Sequence, residues 1–317
     1  MQSTEALTAH LVPIKTFLDD KTVSEIIVNK PQELFIERQG QFERHHVPNL
    51  DYDHLFRMVS LIANLNKKPF SEQHPRLSAT LPQGHRLQAL VPPVLEAGKF
   101  SMSIRKQVIS NLNLKDLPRY FFEKAKINGS DFSGSKDFII EMIREFILLR
   151  KTILISGGTS TGKTTFLNAC LKEIPLEERL LILEDTREIH VAHGNHSCLI
   201  AGQKGDSNTE SDMIENLKAS LRLRPDRVLL GELRGGEATT FLEAASTGHE
   251  GSFSTIHASS ADLAIERLCM LAERGGLTQQ TRDILREYVK SIVDVVIQLK
   301  RLPDGTRFIS EIKYREE

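Results

Sequence analysis

The sequence predicts a C-terminal α/β domain with a mainly parallel sheet, preceded by a smaller α+β domain. From residue 137 onward, short apolar runs typical of buried strands alternate with segments of helical periodicity, whereas residues 1–127 carry short, mixed signals. Between them, residues 128–136 are dense in Gly, Ser, Asn and Asp, a composition typical of a linker. We therefore predict two domains, at 1–127 and 137–317.

The composition indicates a globular protein and argues against several other classes. Hydrophobic residues make up 40% of the chain and charged residues 26%. A formal net charge of -1 argues against a protein that binds nucleic acid over its whole surface, because such proteins need a basic excess. The three cysteines form no C-x-x-C pair, so neither a disulfide framework nor a zinc ribbon is indicated. Without a signal peptide or a long apolar run, we expect a cytoplasmic protein whose membrane contact, if any, is peripheral.

The first domain is predicted to combine several short strands with one longer helix. Asp51 is a residue type that begins helices, and apolar residues from Leu55 to Leu65 follow it at helical spacing. The first strands are separated by few residues, which favours a hairpin. The predicted strands cover residues 25–29, 34–38, 41–45, 77–81, 86–91 and 100–106.

The second domain is predicted to begin with a helix, after which strands and helices alternate. Its last long strand is followed by Pro303-Asp-Gly305, a turn sequence that predicts a terminal hairpin with residues 307–313. The other predicted strands cover residues 179–184, 228–230, 252–256 and 292–299.

One motif organises this second domain. After an apolar run that begins near Lys151, the chain reads Gly157-Gly-Thr-Ser-Thr-Gly-Lys-Thr-Thr165 and then continues with helix-forming residues to Leu171. This is a complete match to G-x-x-x-x-G-K-[ST], in the strand, loop and helix context that a phosphate-binding P-loop requires. We therefore predict a nucleotide site here.

The P-loop residues predict ATP and Mg²⁺ as ligands. Lys163 is expected to reach the β- and γ-phosphates, Thr164 to place its hydroxyl on Mg²⁺, and Thr165 to bond the α-phosphate. No Asn-Lys-x-Asp motif follows the loop, which favours ATP over GTP. The backbone N–H groups that would form an anion nest belong to Gly158, Thr159, Ser160, Thr161 and Gly162.

Acidic residues follow two other buried strands. Glu232 ends an apolar run, and we predict it to be the general base that takes a proton from the attacking water. Gly231 occupies the position where many P-loop proteins carry a metal-binding Asp, so Mg²⁺ would need a carboxylate elsewhere. Glu184 and Asp185, which end another apolar run, are the candidates, and the alternative is a plain surface position.

Histidines and one arginine complete the predicted site. His249 and His257 flank a short predicted strand, and we expect both near one sheet edge as nucleotide-binding or catalytic residues. Arg234, two residues after Glu232, is a candidate to answer charge that develops on the phosphates, and its alternative is a solvated loop residue.

The segment after Glu184 offers a rival metal site. Four potential zinc ligands lie close in sequence there, at His190, His193, His196 and Cys198. Their spacing matches neither a helical i, i+4 pair nor a zinc ribbon. We therefore favour a solvated loop or strand edge over a metal site.

Four segments in order resemble the conserved boxes of the bacterial type II and type IV secretion ATPase superfamily. Residues 157–165 are similar to its Walker A box, 184–188 to its Asp box, 224–235 to its Walker B box and 248–258 to its His box. The glycine at position 231 agrees with that family's pattern. The resemblance implies a RecA-like P-loop domain that hydrolyses ATP, acts as a homo-hexamer, and powers secretion or type IV pili.

The resemblance extends less specifically into Ser101–Lys106, where it implies that Arg105 reaches the nucleotide. The short first domain and the lack of C-x-x-C resemble the type IV secretion ATPases, which act with other secretion components on the cytoplasmic face of the inner membrane. The alternatives are a type IV pilus motor, a DNA translocase and a nucleotide-gated scaffold. We do not expect direct nucleic-acid binding, because no Lys/Arg cluster with aromatic residues stands out. The cargo, protein or DNA, stays open.

Overall fold

The computed structural model describes residues 2–38, 40–106, 112–132, 134–201, 209–277 and 281–315. The chain forms two compact units, Met1–Val108 and Ile109–Glu317. Each unit has its own hydrophobic core. In the described residues, no helix combines the length and the apolar character needed to cross a membrane.

The N-terminal unit is a six-stranded antiparallel sheet packed against helices, as the α+β prediction requires. The strand order is β3-β2-β1-β6-β5-β4. The predicted helix begins at Asp51, whose carboxylate accepts a hydrogen bond from the His54 N–H at 2.8 Å. In chain order the elements are α1 (Gln2–Leu11), α2 (Lys15–Asp19), β1 (Val23–Lys30), β2 (Glu33–Arg38), β3 (Gln41–His46), α3 (Tyr52–Leu65), β4 (Arg76–Thr80), β5 (Arg86–Leu90) and β6 (Ser101–Arg105).

The C-terminal unit is built on a nine-stranded mixed sheet with the order β11-β10-β12-β13-β9-β14-β15-β7-β8. The six strands from β11 to β14 in that order run parallel to one another, so their carboxyl ends meet at one edge. The strands are β7 (Lys126–Ile127), β8 (Ser130–Asp131), β9 (Ile153–Gly157), β10 (Leu180–Glu184), β11 (His196–Ile200), β12 (Arg227–Leu233), β13 (Phe253–Ile256), β14 (Val295–Arg301) and β15 (Arg307–Tyr314).

Helices cover both faces of this sheet, as expected for parallel strands that are buried on both sides. Two hydrophobic clusters form the two layers: α4 and α5 contribute to one, and α6 to α9 contribute to the other. The helices are α4 (Lys136–Leu148), α5 (Lys163–Leu171), α6 (Thr209–Leu221), α7 (Glu237–Ser246), α8 (Ala261–Arg274) and α9 (Arg282–Ile292). This arrangement confirms the predicted α/β fold class.

The units divide about twenty residues before the predicted linker at 128–136, which lies inside the C-terminal unit. Phe121 and Phe122 are buried in the same cluster as α4 and α5, and β7 pairs with β15. Asn128 and Gly129 both have positive φ, 46° and 84°, and they form the turn between β7 and β8. Because turns and linkers use the same residue types, composition alone did not distinguish them. Ser133, within this segment, lies outside the described residues.

Candidate nucleotide site at the carboxyl edge of the sheet

The P-loop joins the end of β9 to the start of α5. Gly162 caps α5 with a φ of +88°, a left-handed conformation that glycine adopts without steric penalty. The Thr161 hydroxyl donates to the Gly158 carbonyl at 2.9 Å and closes the loop on itself. The loop backbone therefore ends at the N-terminus of α5, where the helix dipole is positive. This arrangement binds phosphate.

Lys163 lies beneath this loop and is buried. Its Nζ donates to the carbonyl of Gly157 at 2.9 Å and to that of Gly158 at 3.0 Å. The same Nζ lies 3.4 Å from the His257 ring nitrogens. The ammonium is thus held beside the phosphate-binding backbone and in contact with the segment that follows β13.

Glu232 and His257 meet because they end neighbouring parallel strands, β12 and β13. His257 Nε2 lies 3.1 Å from Glu232 Oε1. Burial lowers the pKa of His257, and the nearby charge of Lys163 lowers it further while Glu232 opposes the shift. His257 therefore bridges the P-loop lysine and the carboxylate, and its lowered pKa favours the neutral imidazole.

Arg234 links two of the predicted acidic residues. Its Nη2 donates to Glu232 Oε2 at 2.6 Å, and its Nη1 donates to Asp185 Oδ2. The Arg234 side chain is 52% exposed and pairs with both carboxylates, and its role toward phosphate stays a prediction. Arg234 therefore connects the ends of β12 and β10.

Glu184 ends β10 and is only 3% exposed. Its Oε1 accepts hydrogen bonds from the N–H groups of Glu188 and Ile189, both at 2.8 Å, and burial raises its pKa to about 7. Its Oε2 is buried and has no hydrogen-bond partner among the described residues. A Cβ at Gly231 would lie 3.2 Å from Glu184 Cγ, so the glycine leaves room for this carboxylate.

A family model described as "Type II/IV secretion system protein" matches residues 8–304. The chain belongs to this family. It is 36% identical over 322 residues to Type IV secretion system protein VirB11 of Brucella suis biovar 1, an alignment that covers 96% of this chain and 89% of that protein. It is 33% identical to Type IV secretion system protein PtlH of Bordetella pertussis, over 97% of this chain and 94% of that protein.

Solved structures of known proteins share the fold. The crystal structure of the VirB11 ATPase from the Brucella suis type IV secretion system, in complex with sulphate, is similar with a TM-score of 0.51 and 34% identity. That match covers 99% of this chain and 95% of the other. The pilus retraction motor PilT, with bound ADP, gives a TM-score of 0.62 at 17% identity, over 97% and 83%, which is a likeness of fold. The resemblance to type IV secretion ATPases inferred from the four boxes is thereby confirmed.

Glu184 and Thr164 carry oxygen atoms of the kind that Mg²⁺ binds. Among the described residues, no group of three or more His, Cys, Asp or Glu side chains is arranged to hold a metal ion. Mg²⁺ does not need such a cage, since it is commonly held by one or two protein oxygens together with phosphate oxygens and water. The unpartnered Glu184 Oε2 and the Thr164 hydroxyl are suitable donors. Asp185, the third predicted ligand, instead pairs with Arg234.

His249 lies at the other edge of the sheet from His257, contrary to the expectation that both share one edge. It precedes β13, and its carbonyl accepts a hydrogen bond from Ser252 Oγ at 2.7 Å. His257 follows β13, and a four-residue strand separates its two ends by roughly 10 Å. Within one subunit, His249 is therefore remote from the P-loop.

Two of the three histidines after Glu184 lie with a ring nitrogen against a backbone carbonyl. His193 Nε2 lies 3.1 Å from the Pro175 carbonyl, and His196 Nδ1 lies 2.6 Å from the His193 carbonyl. The His190 N–H donates to Asn168 Oδ1 at 2.9 Å, and Asn168 Nδ2 donates to the Glu188 carbonyl at 3.0 Å. The segment after Glu184 is thus fastened to α5 by one amide side chain.

Arg105 lies in the N-terminal unit at the end of β6, where its side chain is exposed. In the sheet register its neighbours are Glu25 on β1 and Arg86 on β5. Its role toward nucleotide stays a prediction from the family resemblance.

Sequence reasoning missed the contribution of the terminal hairpin. A cleft of about 850 Å³ beside the P-loop is lined by Gly158 and Thr159, by residues 257–259, and by residues 298–303 at the end of β14. In addition, Arg307 Nε donates to the Ser160 carbonyl at 3.0 Å. The Pro303-Gly305 turn predicted the hairpin, but only the pairing of β9 with β14 shows that it reaches the P-loop.

Proposed function

We propose that this protein is a Mg²⁺-dependent ATPase that works as a homo-hexameric motor in a bacterial type IV secretion system. The observation that carries the proposal is one connected set of side chains at the carboxyl edge of the sheet. Lys163, His257, Glu232, Arg234 and Asp185 lie in consecutive contact from the P-loop to the end of β10. These residues come from all four boxes of the secretion ATPase family.

The P-loop binds the triphosphate, and the side chains of Lys163 and Thr165 interact with its negatively charged oxygens. Lys163 already lies against the loop carbonyls, so a short rotation of its side chain exchanges these acceptors for β- and γ-phosphate oxygens. Thr165, in the first turn of α5, is placed for the α-phosphate. Water exclusion around the buried Lys163 strengthens this attraction.

Glu232 acts as the general base toward the attacking water. Its two oxygens are held by different partners, His257 and Arg234, which fixes the plane of the carboxylate. A neutral His257 can hold this orientation without withdrawing the negative charge that the base needs. Arg234, which pairs with Glu232 and Asp185, is the candidate to answer phosphate charge as it develops.

Thr164 and Glu184 are the residues that would hold Mg²⁺. When bound, Mg²⁺ neutralises phosphate oxygens and supplies Lewis-acid stabilisation of the transferred phosphoryl group. The raised pKa of Glu184 means that this carboxyl binds a proton near neutral pH, and a cation beside it would favour its ionised form.

The place of the motor is inferred from its relatives. Proteins that are 33–36% identical over nearly the whole chain are named as type IV secretion components, whereas the pilus motor PilT shares 17%. We therefore favour secretion over pilus retraction or DNA translocation. We place the hexamer peripherally on the cytoplasmic face of the inner membrane, with other secretion components as its partners. The net charge of -1 favours no direct binding to nucleic acid.

The proposal is tested by steady-state phosphate release and by light scattering of the purified chain. Wild-type protein should hydrolyse ATP only with Mg²⁺ and form a hexamer with nucleotide, while Lys163→Ala should lose most of its nucleotide binding. Lys290→Ala, an exposed lysine on α9 that pairs only locally with Glu287, is the matched control. A wild-type protein without ATPase activity, or a Lys163→Ala variant with full activity, would overturn the assignment.

Arg105 gives a separate test of the same function. If its guanidinium completes the nucleotide site, Arg105→Ala in the full chain should weaken binding of a non-hydrolysable ATP analogue by about fivefold to tenfold. Arg86→Ala, on the neighbouring strand β5, is the control. Equal affinities of wild type and Arg105→Ala by calorimetric titration would remove Arg105 from the site.

A further inference from the structure

Arg307, the first residue of β15, lies against the apex of the P-loop. Its Nε donates to the Ser160 carbonyl at 3.0 Å. Its Cδ lies 3.3 Å from the place where a Cβ on residue 162 would be, so Gly162 also leaves room for the arginine chain. A residue about 145 positions away in sequence thus touches the loop expected to cradle phosphate.

The bonded carbonyl belongs to a residue in an unfavourable backbone conformation. Ser160 has a φ of +58°, in the left-handed region that residues with a Cβ rarely adopt. Such conformations persist where surrounding contacts enforce them. A hydrogen bond from a charged guanidinium is stronger than one from a neutral donor, so Arg307 is suited to enforce this one.

The orientation of this carbonyl determines which way a neighbouring donor points. In a trans peptide, the C=O of one residue and the N–H of the next point in opposite directions. While Arg307 holds the Ser160 carbonyl outward, the Thr161 N–H is directed to the opposite side of the peptide. The P-loop needs this N–H for its anion nest.

The hairpin that carries Arg307 is also strongly basic where it meets the P-loop. Arg301 lies directly opposite Arg307 in the β14–β15 register. Lys300 and Arg301 line the cleft beside Gly158 and Thr159. A polyphosphate bound in the P-loop would lie beside these basic residues and be attracted to them.

We propose that Arg307 is a positioning residue of the nucleotide site, through which the terminal hairpin sets the affinity for nucleoside di- and triphosphates. The inference rests on the proposed ATP site. Arg307 fixes the Ser160–Thr161 peptide in the phosphate-binding orientation before nucleotide arrives. Its loss therefore lowers affinity more than it lowers the rate of the chemical step.

The test compares Arg307→Ala with Arg307→Lys, Lys163→Ala and Lys313→Ala in the full chain. Lys313 is the matched control, because it lies on the same strand but pairs with Asp262 and Glu311. We expect Arg307→Ala to raise the Kd for ADP and for a non-hydrolysable ATP analogue about tenfold, with kcat within about threefold of wild type. Arg307→Lys keeps the charge but has no Nε donor, so it should resemble Arg307→Ala. Lys313→Ala should bind like wild type.

A second substitution separates positioning from simple support of the hairpin. Ser160→Gly removes the penalty of the left-handed conformation, so in the Arg307→Ala background it should recover part of the lost affinity. If Arg307→Ala binds like wild type while Lys163→Ala does not, the proposal fails and the ATP site stands. Loss of thermal stability together with affinity, with no recovery by Ser160→Gly, would also overturn it. If wild type itself binds no nucleotide, the proposed function fails instead.

Discussion

Two groups of ion pairs lie at opposite edges of the same sheet and differ in the solvent exposure of the paired side chains. At the amino edge, Arg227 is fully buried and donates to both oxygens of Glu178, at 2.8 and 2.9 Å. At the carboxyl edge, Glu232 gives one oxygen to Arg234 and one to His257, which are 52% and 38% exposed. The Arg227–Glu178 pair is largely shielded from solvent, with exposed fractions of 0% and 11%, whereas the partners of Glu232 are open to solvent.

This difference indicates which group can change during turnover. Separation of this pair would leave the fully buried Arg227 guanidinium without its carboxylate, and this is strongly unfavourable. Exposed partners can be exchanged for water or phosphate at little expense. The amino edge therefore holds the ends of β10 and β12 together, while the carboxyl edge is free to rearrange around a nucleotide.

The largest effect is expected for Glu232→Gln. The amide keeps the shape of the side chain but loses the base, so kcat should fall about 10²–10³-fold. Affinity for ADP, measured by calorimetry, should stay within about threefold of wild type. Glu243→Gln, on the exposed side of α7, is the control and should leave both quantities unchanged. If affinity collapses while kcat per bound nucleotide is normal, Glu232 serves the metal rather than the water.

Next in size is the effect of Arg227→Met on stability. Removal of the guanidinium leaves Glu178, which is 11% exposed, with Arg150 at 2.8 Å as its remaining cation among the described residues, so the free energy of unfolding should drop by about 3 kcal/mol. Urea denaturation gives this value, and Arg144→Met, from an exposed pair, should change it by less than about 1 kcal/mol. Recovery in the double variant Arg227→Met, Glu178→Leu is expected. If Arg227→Met were as stable as Arg144→Met, the Arg227–Glu178 pair would contribute no more to stability than an exposed ion pair does.

A third prediction concerns pH and Glu184. Its pKa is raised by burial from 4.5 to about 7 in the folded state, so the folded protein binds more protons than the unfolded one between these values. Stability should therefore fall as pH rises from about 4.5 to about 7, by on the order of 2 kcal/mol. Glu184→Gln should have a flatter profile in this window. Identical profiles for the two proteins would mean that Glu184 is not the group responsible.

The smallest effect is expected for Gly231→Ala. The new methyl group would lie 3.2 Å from Glu184 Cγ and push that side chain by a few tenths of an ångström. We expect a loss of stability of about 1 kcal/mol or less and a kcat two- to fivefold lower. Gly194→Ala is the control, since nothing lies within 4 Å of its added Cβ. Full activity in Gly231→Ala would show that Glu184 needs no fixed position.

Local sequence signals predicted the parts of the site that depend on local structure. The P-loop is one continuous motif, and Glu232 ends a buried strand, so neither requires knowledge of the tertiary fold. His249 was misplaced because a short strand carries the chain across the sheet between it and His257. Arg307 was missed because its position depends on the register of a hairpin and on the pairing of β14 with β9. The pairing of strands that are distant in sequence cannot be predicted from any single segment.

The Asn168 side chain links α5, the helix after the P-loop, to the segment that follows β10. Its amide bonds the Glu188 carbonyl and the His190 N–H, much as one edge of a strand would. Between these two groups lies the N–H of Ile189, which together with that of Glu188 holds the Glu184 carboxylate. Any rotation of α5 that keeps these bonds must also move the two N–H groups that hold the Glu184 carboxylate. A displacement of α5 that followed phosphate binding would therefore reach the Glu184 carboxylate at the end of β10 through these bonds.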